Sequence, residues 1–121
     1  MFTAFLVAHL AMSAAEMTWT YPMRGDYSDC SPGVGDLDGD GSADLVLVTS
    51  GGKVQALDAR GKELWQTALY GALNIPPTVA NVTGGPGLEV LVINKSGLLV
   101  CLDGARGAPV WEWSLPNPIE W

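Results

Sequence analysis

Histidine occurs once in this chain, at His9, so no Ser/His/Asp or Cys/His nucleophilic arrangement can be built beyond the extreme N-terminus. Basic side chains are scarce as well: six Lys and Arg stand against thirteen Asp and Glu, for a net charge of −7. No basic face is left to neutralise phosphates, which excludes a nucleic-acid partner. Cys30 and Cys101 are the only cysteines, and a bridge between them cannot be read from their spacing. Cys101, inside the run Leu98–Leu102, suits a small buried hydrophobe. No apolar stretch is long enough for a membrane-spanning helix. What is present is 48% hydrophobic and only 16% charged, which excludes disorder. Fifteen glycines and eight prolines, with no sustained helical period after the N-terminus, point to short strands and tight turns in one modest domain of 121 residues.

The chain opens on a short apolar run, residues 1–15, ending in small residues with Ser13 and Ala15 placed for cleavage before Glu16. This pattern is that of a secretory signal, although its n-region lacks Lys and Arg and His9 interrupts the apolar core; an extra strand is the alternative reading. The expectation is a soluble protein after processing, secreted, periplasmic or displayed at the cell surface.

The densest chemistry lies at Gly35-Asp36-Leu37-Asp38-Gly39-Asp40-Gly41-Ser42-Ala43-Asp44. Carboxylates fall at the first, third, fifth and ninth places counted from Asp36, and Gly41 at the sixth lets the chain turn with positive φ so that oxygens converge. An all-oxygen set suits a hard cation; Ca2+ fits better than Mg2+, which holds its water, or Zn2+, which favours His and Cys. A polar surface turn without an ion is the bland alternative. Four carboxylates in nine residues repel one another, and a mere turn has no need of them. An EF-hand is excluded, because the twelfth place is Leu47 and the flank Leu45–Thr49 reads as a buried strand.

Sliding the chain by 45 residues brings Pro32 onto Pro77, Asp36 onto Asn81, Asp44 onto Glu89, Gly52 onto Gly97 and Asp58 onto Asp103; Trp19, Trp65 and Trp111 recur at 46. Each unit carries four short strands, expected at 33–36, 44–49, 53–57 and 63–69, then at 78–81, 89–93, 98–102 and 109–114. Glycine-containing turns separate them, at Ser50–Gly52, Asp58–Gly61, Asn94–Gly97 and Asp103–Gly107. A 45-residue period with four strands per unit is the arithmetic of a β-propeller blade. The fold expected is all-β: two four-stranded antiparallel blades of an incomplete propeller, plus an outer strand of a preceding blade at Glu16–Tyr21. The boundaries are 16–30 for that strand and a linker, 31–70 for the first blade, 71–115 for the second, and 116–121 for the start of a link to another.

The loop Asp-x-Asp-x-Asp-Gly-x-x-Asp resembles the calcium loop of FG-GAP (VCBS-type) repeats, as in integrin α-chain propellers. Ala56–Trp65 and Cys101–Trp111 resemble the tryptophan-docking motif of quinoprotein (PQQ-like) propellers, the first one residue short, the second with Cys and Arg for the usual Ala and Thr. These likenesses, spanning Glu16 to about Leu115, imply calcium ligation by the side chains of Asp36, Asp38, Asp40 and Asp44 and by the carbonyl of Ser42. They also imply packing of Trp65 and Trp111 between blades. In the second unit the carboxylates become Asn81, Thr83, Gly85 and Glu89, so one ion per chain is expected.

Two blades do not close a ring of four to eight. The expectation is an N-terminal piece of a longer protein, with further blades or self-association to complete it. The resulting functional expectation is a calcium-binding repeat module, not an enzyme, that supports binding to an extracellular protein or glycan. Its rival is a fragment of a propeller enzyme, a PQQ-dependent dehydrogenase or polysaccharide lyase. Trp113 and Trp121 are either exposed binding aromatics or packing for an absent blade.

Overall fold

The computed structural model describes residues 18–23 and 26–117, which include no helix. Eight strands are present: β1 Gly33–Gly35, β2 Asp44–Val48, β3 Lys53–Leu57, β4 Glu63–Ala68, β5 Thr78–Ala80, β6 Glu89–Ile93, β7 Leu98–Asp103 and β8 Pro109–Ser114. They form two antiparallel meanders, β1-β2-β3-β4 and β5-β6-β7-β8. Every strand lies within a residue of its expected span, because apolar runs bounded by Gly-rich turns specify both the strand and the hairpin. Thr49 and Asn94, aligned by the repeat, cap equivalent turns: their side-chain oxygens accept the N–H groups of Lys53 and Leu98 at 3.1 and 2.9 Å.

Register decides what each face buries. Val46 pairs with Ala56 and Ala56 with Trp65, while Val48 pairs with Val54 and Val54 with Thr67, so these six share one face of the first sheet. Most of them join Val90, Val92, Val100 and Leu102 of the second sheet in a single core cluster that also takes Leu37 and Leu73. The sheets come together at β1 and β5. There the first sheet has no side chain to offer: a Cβ at Gly35 would lie 2.6 Å from Val79 Cγ1, and one at Gly33 would lie 3.1 Å from the Pro77 carbonyl.

At the far side of the wedge the gap is filled by indole. Trp65, on β4, donates its Nε1–H to the Gly104 carbonyl at 2.7 Å, and Thr67 Oγ1 donates to the Gly107 carbonyl at 2.6 Å. Gly107 has φ 72° and lies under the Trp65 ring, where a Cβ would collide with it, so the site needs glycine for conformation and for space. Trp19 repeats the arrangement on the first sheet, donating to the Ala59 carbonyl at 2.9 Å above Gly61.

The described part of the segment expected as a preceding blade's outer strand, 18–21, carries no sheet pairing. A ladder needs a neighbouring strand, and none lies beside it among the described residues; the segment is held by Trp19 and by Tyr21, whose hydroxyl bonds Glu63 at 3.3 Å. Residues 1–15 and Trp121 lie outside the described residues. Cys30 and Cys101 are free thiols, Cys101 buried in β7 as an apolar filler.

Candidate metal centre

The β1–β2 connection gathers the predicted carboxylates. One oxygen from each of Asp36, Asp38, Asp40 and Asp44 lies within 4.8 Å of all the others. Asp44, the first residue of β2, is fixed by the sheet, and the three others are carried by a loop wrapped round them. Asp36 Oδ1 accepts the N–H groups of Gly39 and Asp40 at 2.9 and 3.2 Å, and its Oδ2 accepts that of Gly41 at 2.8 Å. The Gly41 N–H above all, then that of Gly39, holds the Asp36 carboxyl below the usual carboxylate range. Gly41 has φ 86°, the left-handed turn its place in the motif requires. Ser42 is exposed, its N–H bonded to Asp40 Oδ1 at 2.9 Å.

Two features test whether a cation fits. Asp44 is fully buried, yet only its Oδ2 is engaged, accepting the Leu37 N–H at 2.7 Å; Oδ1 has no partner. A buried carboxylate oxygen without a donor is costly unless something positive approaches it. Asp38 is held above its ordinary value, first by desolvation, then by a side-chain hydrogen bond with Asp40 and by repulsion from Asp44 and Asp40. An all-oxygen cluster in this state suits Ca2+.

In the second unit the corresponding carboxylate is satisfied by backbone donors. Glu89, aligned with Asp44, reaches one methylene further, and its Oε1 accepts both Val82 and Thr83 N–H at 2.8 and 2.9 Å. Those two donors, Thr83 first, hold Glu89 below the usual range. Asn81 closes the turn with neutral chemistry, accepting from Gly84 and donating to the Gly85 carbonyl.

Beyond the loop, the repeated tryptophan docks are the second distinctive feature, and they agree with similarity to known proteins. A PQQ-type family model described as outer membrane protein assembly factor BamB matches residues 50–120. The chain belongs to this family. Among solved structures, the crystal structure of BamB from Moraxella catarrhalis is similar, with a TM-score of 0.54 and 34% identity over 70% of this chain. The chain spans 23% of the length of that BamB protein. No curated protein matches the chain. The family match covers both PQQ-like tryptophan segments whole, whereas the FG-GAP likeness rests on 36–44, outside the matched stretch. The PQQ-like β-propeller repeat is thereby established, and the acidic loop 36–44 lies outside the stretch that establishes it.

Docking by Trp19 was not readable beforehand. The 46-residue recurrence identified the three tryptophans, but the turn each reaches lies about one unit further along, at a separation of 40 residues for Trp19 and 39 for Trp65. The aligned pairs Ala59/Gly104 and Gly61/Gly107 were the available signal.

Proposed function

We propose that the chain is a two-unit segment of a non-catalytic propeller that works by binding protein, and that a Ca2+ ion holds its first loop in place. The observation that carries this reading is an open copy of a buried face. The positions matching Val46, Val48, Val54, Ala56, Trp65 and Thr67 in the second unit are Leu91, Ile93, Leu99, Cys101, Trp111 and Trp113. That set is the more apolar of the two, yet Trp111 is 38% and Trp113 56% exposed. A face of aromatic and aliphatic side chains on a sheet suits a further repeat unit or a protein segment. The description of the family as an outer membrane protein assembly factor favours a protein over a glycan, and a periplasmic or cell-surface setting with it. It also favours an assembly role over the propeller-enzyme alternative.

For the ion, an affinity typical of extracellular calcium modules, about 10⁻⁴ M, at millimolar Ca2+ stabilises the folded state by roughly 1.4 kcal/mol. Relief of carboxylate repulsion is already contained in that figure. The partner reading is tested by titrating the full chain into a labelled, unfolded outer-membrane β-barrel protein and following anisotropy. Saturable binding that Trp111→Ala and Trp113→Ala weaken is expected; binding indifferent to both substitutions, or none at all, overturns it.

A further inference from the structure

We propose that cation binding at residues 36–44 tightens the contact between the two blades, with Leu37 as the residue that transmits it. The proposal rests on the calcium reading above and adds a consequence for the interface. Leu37 stands between the first two ligands in sequence, and its N–H is bound by Asp44 Oδ2, on the carboxylate whose other oxygen is free. Its side chain turns away from solvent into the inter-sheet core, leaving 3% exposed. There it meets Gly104, in the turn after β7: a Cβ on Gly104 would lie 3.1 Å from Leu37 Cδ2 and would run into the Leu88 carbonyl. Gly104 N donates to that carbonyl at 2.9 Å. The carbonyl of the same Gly104 accepts the Trp65 indole N–H.

One residue of the second blade therefore rests on the metal loop from one side and receives the docking tryptophan on the other. When a cation draws the carboxylates of Asp36, Asp38, Asp40 and Asp44 together, the backbone between them is fixed, and with it the seat of Gly104. The repeat supplies an internal comparison. Val82 aligns with Leu37 and is likewise bound through its N–H, by Glu89, yet it is 42% exposed where the described residues offer no further turn for it to support. Leu37 is buried because the next blade's turn sits on it.

The test uses the full chain and Ca2+ alone. Direct binding is measured by calorimetry, and the contact is read from hydrogen exchange of the Trp65 indole N–H in nitrogen-15 spectra, assigned with Trp65→Phe. If the dock opens only when the ion is released, the exchange of this proton should slow by about ten-fold at ten times the dissociation constant. The exposed indole of Trp113 should not respond. Leu37→Ala, with every ligand intact, should still bind Ca2+ and lose the protection; Leu37→Val serves the same comparison if the alanine variant does not fold. Ca2+ binding without slowed Trp65 exchange, or unaltered protection in the Leu37 variants, overturns the coupling while leaving the site standing. No Ca2+ binding overturns the metal reading and the coupling together.

Discussion

Asp38 and Glu89 separate the two ways in which this chain closes a β1–β2-type loop. Asp38 carries a raised carboxyl pKa, so its ionised form works against the ion-free fold at neutral pH, and the penalty is relieved as pH falls through the raised value. Asp38→Asn keeps an oxygen to accept the Asp40 N–H, so in chelator its melting temperature should equal or exceed that of the parent; in Ca2+ the order should reverse, as paired thermal melts would establish. Glu89 has the opposite sign. Its folded pKa lies below the ordinary 4.5, so its contribution is complete above that value and is lost as pH falls through the lower folded one. Glu89→Gln retains an oxygen acceptor but does not titrate, and melts run in chelator between pH 6 and 3 should give it a shallower acid limb. At this scale the convergence of the four carboxylates was legible, since the spacing Asp-x-Asp-x-Asp-Gly brings them together. The orphaned Asp44 oxygen was not, because it depends on which backbone donors the folded loop leaves to it.

At the scale of the element, strands and turns follow directly from the alternation of apolar residues and the placement of glycine, and the repeat fixes their order. What a strand's side chains reach depends on its neighbour, which a local pattern does not encode; hence the docking of Trp19 on the Ala59 carbonyl was not legible. The same point distinguishes two tryptophans that the sequence treats as equivalent. Trp65 is 8% exposed, bonded to Gly104 and packed over Gly107, whereas Trp111 has no turn of a further blade beneath it among the described residues. Urea denaturation should therefore show Trp65→Ala costing about 3–5 kcal/mol, and Trp111→Ala within about 0.5 kcal/mol of the parent in this chain.

For the whole molecule, propeller membership was legible from a 45-residue period, four strands per unit and the docking motif, and the family match agrees. How the two sheets lean on each other was not, because it depends on side-chain size summed across an interface. Moving outward from β1, the first sheet presents nothing at Gly33 and Gly35, small aliphatic side chains at Val46, Val48, Val54 and Ala56, and Trp65 with Thr67 at the outer strand. The second sheet accepts this graded filling, so the two cannot lie flat against each other. A stack of such tapered layers bends into an arc about an axis beyond β1 and β5. Its curvature is written in the difference in girth between a bare α-carbon and an indole, and so is the number of layers needed to come full circle. Enlarging the thin end, as Gly35→Val would, straightens the arc.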